Sequence, residues 1–285
     1  MPISQHHQMR IALIALSVVV ALLLWLGPWN QPDENPPAFA ALSRDEVTRI
    51  QIDLPDSSRV VLDKTTGGWY ATQPWERKAD PTRINVLLAT LSVPKGTLYH
   101  TSELNLAEVG LEPAQATLTL NNERFFFGHP GTKGERRYLQ VSDKVALVPD
   151  IIFPMLKQGL TGIADKKLIP PGTDKIKTPH YTLDKTSGEW RSPDMAGDVA
   201  HALVAKWHTQ QVTRFIAWPP DDIPATSMEE PPRIVLTSSD NLDRIFEVIA
   251  LPDQVVIYPL NARYAMTLTP DQLVELGLAP TTEPR

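Results

Sequence analysis

An eight-residue string occurs twice in this chain, and that repetition limits the fold more than any other feature. Leu62-Asp63-Lys64-Thr65-Thr66-Gly67-Gly68-Trp69 returns as Leu183-Asp184-Lys185-Thr186-Ser187-Gly188-Glu189-Trp190, identical at six of eight positions with an offset of 121. Chance can produce one such match, but the surrounding features repeat in the same order. Each copy runs on into a segment of helical period, residues 81–93 and 195–210. Each then has a Glu-Pro pair ahead of a strand: Glu112-Pro113 before residues 116–120, and Glu230-Pro231 before 233–237. Each closes with an apolar strand and a Pro-Asp step into a helix. These are Val145-Ala146-Leu147 with Pro149-Asp150, and Tyr264-Ala265-Met266 with Pro270-Asp271. Offsets of 118 to 121 in one order describe a tandem duplication.

Local periodicity supplies the elements. Ile50, Ile52 and Leu54 alternate with Arg49, Gln51 and Asp53, and Ala116, Leu118 and Leu120 alternate with Thr117, Thr119 and Asn121, so both runs predict half-buried strands. Residues 125–127, 138–141, 245–250 and 255–258 are further short strands between turn residues. Ile84, Leu87, Leu88 and Leu91 form one helical stripe, and Met195, Val199, Leu203 and Trp207 are expected to form the other. Ser43 and Glu46 have the spacing of a capping box, with room for one turn only before the strand pattern begins at Val47. The second copy is expected to be degenerate at its start, where Pro170, Pro171 and Pro179 interrupt the match to the hairpin of residues 47–63. With 27 prolines and 14 glycines the composition favours short strands and rigid turns. The predicted class is α+β: two tandem, diverged, mainly antiparallel α+β repeats, at 43–168 and 169–285, behind one N-terminal transmembrane helix.

That helix is predicted over residues 11–29. Residues 11–26 carry no charge, and nineteen residues of helix span about 28 Å, close to a bilayer core. Trp25 and Trp29 stand at its outer end, as interfacial indoles do. His6, His7 and Arg10 precede it while Asp33 and Glu34 follow, which places residues 1–10 in the cytoplasm and the body outside. The competing reading is a cleaved signal peptide ending at Ala38-Phe39-Ala40. That site lies fourteen residues beyond Leu26, across Pro28, Pro32, Pro36 and Pro37, so an uncleaved anchor fits better. Residues 30–42 read as a proline-rich tether. Beyond residue 29 the chain carries a net charge of −7, the whole-chain −6 less the +1 of Arg10. Such an acidic body argues against nucleic acid as a partner. Cysteine is absent, which excludes disulfides and thiolate chemistry.

The chain resembles a bacterial family known as domain of unknown function 4340. The resemblance rests on an ordered run: Gly68-Trp69-Tyr70 to Pro74, Ala79-Asp80 before the helix ending Leu87-Leu88 and Leu91, and Gly110-Leu111-Glu112-Pro113 before Thr117-Leu118-Thr119-Leu120. Phe127-Gly128 and Arg137-Tyr138-Leu139-Gln140-Val141 follow, and Ala164-Asp165-Lys166-Lys167-Leu168 is similar to the family's closing segment. The match covers residues 43–168 well and the second half loosely. The resemblance implies export behind a single anchor. For some members it also implies company with auxiliary subunits of ABC-type transporters. It carries over no catalytic residue.

Few residues invite chemistry. Gly128-His129-Pro130-Gly131-Thr132-Lys133-Gly134 lacks the Gly-Lys-Ser/Thr end of a phosphate loop and reads as a hairpin loop. Ser92 and Lys95 have Ser-x-x-Lys spacing, but Pro94 ends the helix such a pair requires. His201 and His208 are seven residues apart, about 10.5 Å along a helix, too far to share one metal ion, and read as a solvated face. Asp165-Lys166-Lys167 reads as a solvated turn between the repeats. Trp69 and Trp190 occupy equivalent repeat positions and are expected in the core. Trp75 and Trp218 lie beside prolines and are the candidates for exposed contact. No catalytic residue, cofactor or metal is expected.

Three functions compete. The favoured one is a non-enzymatic module on the periplasmic side of the bacterial inner membrane, bound to the bilayer through residues 11–29. Its partners would be other envelope proteins, such as a transporter permease or auxiliary subunit. The second is a ligand- or glycan-binding module using a groove between the repeats. The third is an enzyme of unrecognised type.

Overall fold

A computed structural model of the chain describes residues 39–278 apart from 56, 58, 93–97, 133, 187, 220–230 and 261. The apolar segment 11–29, residues 30–38 of the tether, Lys95, Lys133 and Glu230 lie outside the described residues. Among the described residues no helix is long and apolar enough to cross a membrane.

The chain first forms β1 (Arg49–Asp53), β2 (Val60–Thr65), β3 (Gly68–Gln73) and the two-residue β4 (Arg77–Lys78). Helix α1 (Pro81–Leu88) follows, then β5 (Leu98–His100), β6 (Ala116–Leu120), β7 (Glu123–Pro130), β8 (Arg136–Val141) and β9 (Lys144–Pro149). Two one-turn helices, α2 (Phe153–Leu156) and α3 (Leu160–Ile163), complete this half. The second half forms β10 (Thr173–Lys177), β11 (Thr182–Thr186), β12 (Glu189–Arg191), α4 (Gly197–Thr209), β13 (Arg214–Ala217), β14 (Arg233–Ser238), β15 (Asp243–Ala250), β16 (Val255–Pro259), β17 (Tyr264–Leu268) and α5 (Pro270–Glu275).

The duplication is visible in the strand order. One sheet runs β4-β3-β2-β1-β6-β7-β8-β9-β5 and the other β12-β11-β10-β14-β15-β16-β17-β13; apart from β4 they are the same antiparallel sheet. Registers repeat too. Lys64 faces Trp69 as Lys185 faces Trp190. Ile50 lies between Leu62 and Leu120 as Ile176 lies between Leu183 and Leu236. Leu98 pairs with Ala146 at one sheet edge as Phe215 pairs with Met266 at the other. Trp69 and Trp190 are half-buried and pack against the core from equivalent positions.

Alternation places the core. Ile50 and Ile52 of β1 and Ala116, Leu118 and Leu120 of β6 are buried, and their neighbours in sequence face outward. Asp80 caps α1 by accepting the Thr82 amide at 2.7 Å, and Ile84, Leu87, Leu88 and Leu91 are all buried beneath it. One apolar cluster runs through both halves, from Leu62, Leu118 and Ile163 to Leu183, Trp207 and Met266. A small separate cluster, Ile249, Val256 and Ala265, lies on the outer face of the second sheet.

Four local expectations change. The second copy keeps its opening hairpin, because Pro170 and Pro171 precede β10 and Pro179 lies in the turn before β11. The Thr178 hydroxyl accepts the amides of His180 and Tyr181 there, so the missing proline N–H removes no ladder bond. Helix α4 buries Ala200, Val204 and Trp207, whereas Val199 is 51% exposed. Its rotation is fixed by Trp207, whose indole donates to the Tyr181 hydroxyl at 2.9 Å, while that hydroxyl donates to the Leu276 carbonyl. The helix expected at Pro149-Asp150 starts only at Phe153, because Pro149 ends β9 and Asp150 is paired with Arg137. Finally, Phe39 and Ala40, read as tether, are buried in the core at 3% exposure each.

Candidate functional site

The place where the two halves meet is built from a segment that looked like a solvated turn. Asp165 N–H donates to Lys78 O at 2.9 Å, and Ala79 and Ala164 form a β-bridge, so the segment extends the edge of the first sheet. On its other side Leu168 N–H donates to Gln210 O at 3.0 Å and Val212 N–H donates to Lys166 O at 2.8 Å. Residues 164–168 are thus a bonded connector between the halves. Arg77 tightens it by donating to the carbonyls of Asp165 and Lys167. Lost hydration, with the nearby Arg83 charge, holds the Lys166 ammonium below its ordinary pKa.

Trp75 belongs to this junction. It is half-buried and packs against Tyr264 with ring centroids 5.7 Å apart. The Arg77 guanidinium lies 5.1 Å from the Phe215 ring centroid, and the Phe215 amide donates to the Thr161 hydroxyl at 3.0 Å. Side chains from the two halves therefore meet where an open groove between repeats was one of the expectations.

Trp218 is also half-buried, on the outer face of the second sheet. It stacks on Tyr258 at 4.4 Å, with the Ile249, Val256 and Ala265 cluster beside it. The Tyr258 hydroxyl donates to Glu247 at 2.6 Å, and Arg233 donates twice to the other carboxylate oxygen at 3.0 and 3.1 Å. The Tyr258 pKa is pushed up to about 12, first by burial and then by its bond to the Glu247 carboxylate and that charge. Every member of the cluster has a partner, so it is a packed polar patch. The structure brings Trp75 and Trp218 into different clusters and joins neither to a reactive group.

Concavities of the described surface include the following two. One is an apolar groove of about 440 Å³ where the β10–β11 turn, the start of β14, the end of β15 and α5 gather, lined chiefly by Pro179, Pro231, Pro232, Val248, Ala250 and Leu278. The other is an open depression of about 690 Å³ around Leu42, Asn121, Glu123, Arg124, Phe126 and Ser142.

The remaining chemical candidates stay apart. The loop after β7 is a hairpin connection closed by Gly131 N–H to Arg136 O at 2.7 Å. Ser92 follows the last turn after α1. His201 and His208 are exposed on α4, and His208 lies edge-on to Trp190 at 6.1 Å. Among the described residues no three His, Asp or Glu side chains gather as a metal site would need.

Sequence reasoning missed Arg77, Glu123, Arg137 and Glu247. Each acts on a group distant in the chain or on a neighbouring strand, and no local pattern marks them.

No curated protein and no solved structure matches the chain. One family model does, over residues 69–197, from β3 through the junction to the first residue of α4. That model is described as "Domain of unknown function (DUF4340)", and its span takes in the ordered motif run from Trp69 to Leu168 and extends into the second half, but does not include residues 43–68.

Proposed function

We propose that this chain is a membrane-tethered module of the bacterial inner membrane. Its N-terminus is cytoplasmic and its body periplasmic, and it works by contact with other envelope proteins as an accessory to an ABC-type transporter complex. The observation that supports contact over catalysis is the groove between the β10–β11 turn and α5. Among the described residues that line it, His180 alone is ionisable, and the rest are proline or aliphatic. Such a surface gains affinity by removing apolar area from water, and it presents no acid–base pair for a reaction. The acidic body and the anchor-like segment 11–29 support the location. In this reading Trp75 and Trp218 serve packing, and no cofactor or metal takes part.

Ala250 is exposed at the groove, so a large charge there should block a partner without disturbing the core. Full-length chain carrying Ala250→Arg should recover the envelope partner from gently solubilised membranes about tenfold less well than the unmodified chain, equivalent to about 1.4 kcal/mol. Equal recovery, with melting unchanged, would refute the groove as the contact. Recovery of no transporter component by the unmodified chain would refute the accessory role.

A further inference from the structure

We infer that the fold grips its own tether, and that this grip turns one end of the first sheet toward the lipid surface. The inference rests on the membrane-tethered reading above and adds an orientation to it. Phe39 and Ala40 are buried at 3% exposure each. The next two amides are held by one carboxylate: Ala41 N–H donates to Glu123 Oε1 at 2.9 Å and Leu42 N–H to Oε2 at 3.1 Å. Ser43 then closes a capping box with Glu46, its amide and hydroxyl donating to that carboxylate at 2.9 and 2.7 Å. Asn121 holds the following stretch. Its side-chain oxygen accepts the amides of Thr48 and Arg49 at 2.9 and 3.0 Å, and its amide nitrogen donates to Glu46 O at 2.9 Å.

Asn121 lies in the two-residue turn between β6 and β7, and Glu123 is the first residue of β7. Together they clamp the chain across residues 41–49, and the tether leaves the fold at a fixed place. Backbone donors satisfied by a charged acceptor are worth more than neutral pairs, and Phe39 adds apolar burial to the same root.

The place matters because the sheet is antiparallel. The β6–β7 and β8–β9 turns share the clamped end, while the loop between β7 and β8 lies at the other. Strand β7 has eight residues, so the two ends are about 25 Å apart. Nine residues, 30–38, separate the anchor-like segment from Phe39, and nine residues span at most about 30 Å. A body rooted at one end of a sheet keeps that end within the spacer's reach of the bilayer, while the other end can lie up to about 25 Å farther out. The rooted end carries Asn122, Arg124 and Ser142, which are exposed and polar and so suit hydrated lipid headgroups rather than the hydrocarbon.

The chain has no cysteine, so single replacements report position cleanly. Asn122→Cys marks the clamped end and Glu135→Cys the far end; both positions are exposed. Full-length variants labelled with a fluorescent donor and placed in nanodiscs with acceptor-labelled lipid should differ in apparent distance to the lipid surface by up to about 25 Å, with position 122 nearer. Adding Glu123→Ala should narrow the difference, with circular dichroism checking that the fold persists. Equal or reversed distances in inserted protein would overturn the orientation alone. An unchanged difference in the Glu123→Ala background would overturn the clamp. Chain that remains in the aqueous fraction would overturn the tethered reading and this inference with it.

Discussion

Arg137 is the most demanding side chain in the first sheet, and removing its partner tests how the fold handles a buried charge. It is 8% exposed and grips Asp150 with two bonds, Nε to Oδ1 at 2.9 Å and Nη2 to Oδ2 at 2.8 Å. Its Nη1 donates to the Gly128 carbonyl, and its guanidinium lies 3.6 Å from the Phe153 ring centroid. The pair ties β8 to the end of β9 and presses α2 onto the sheet. Asp150→Ala leaves the guanidinium in place without its counter-charge. Breaking a buried pair in this way costs about 3–5 kcal/mol, and the 17% exposure of the Asp150 side chain puts the loss near the lower figure. For a body of this size about 3 kcal/mol lowers the melting temperature by about 6–12 °C. The assay is tryptophan fluorescence of full-length chain in mild detergent, heated and separately titrated with urea. The double variant Arg137→Met/Asp150→Ala removes both charges and keeps an apolar chain over Phe153. It should recover at least about half the loss, because the cost lies in the orphaned charge rather than in the pair itself. A loss under about 1 kcal/mol for Asp150→Ala, or a double variant as unstable as the single one, would refute this reasoning.

Trp207→Phe should cost about 1–3 kcal/mol by urea titration, because it removes the indole donor that orients the buried Tyr181 hydroxyl against Leu276. A variant as stable as the parent would show that apolar packing alone sets the rotation of α4. Alkaline pH provides another check. Burial, the leading cause for both, pushes Tyr181 and Tyr258 up to about 12 from an ordinary 10. The folded state therefore keeps two protons that the unfolded state releases near pH 10. The stability they contribute is intact below pH 10 and falls as pH rises from 10 toward 12. Urea midpoints across that window should decline, and Tyr258→Phe should flatten part of the decline; a slope identical to the parent's would refute the assignment.

How far the sequence could be read depended on how far each group's partner lies along the chain. The alternation of Ile50 and Ile52, the stripe of Ile84, Leu87, Leu88 and Leu91, and the Lys64–Trp69 hairpin with its echo at Lys185–Trp190 all involve neighbours within a few residues. Those features stand in the pattern itself. Val199 fails because it lies about 80° around the helix from Trp207, and Tyr181, 26 residues from that indole, decides which face turns inward. Asp150 fails for a similar reason: thirteen residues separate it from the guanidinium that claims it, so its helix-starting propensity loses. Ala41 and Leu42 are 82 and 81 residues from Glu123, and Arg77 is 88 from the Asp165 carbonyl it binds. Nothing within a local window marks such pairs.

These distant contacts explain how a duplicated chain becomes one body. Two copies of one sheet, each with a helix on its core face, would fold as separate domains if their connector were loose. Here the connector is a bonded strand edge, Arg77 ties its carbonyls, and one apolar cluster continues beneath it. The extra strand β4, which has no counterpart among the described residues of the second sheet, supplies both Arg77 and the Lys78 carbonyl that holds Asp165. The asymmetry between the copies is therefore located where they join. One edge of the first sheet thus serves as the joint, while the β10–β11 turn, β14, β15 and α5 of the second copy form the apolar groove. A body joined in this way holds the groove at a fixed position relative to the end of the first sheet where Glu123 and Asn121 bind residues 41–49.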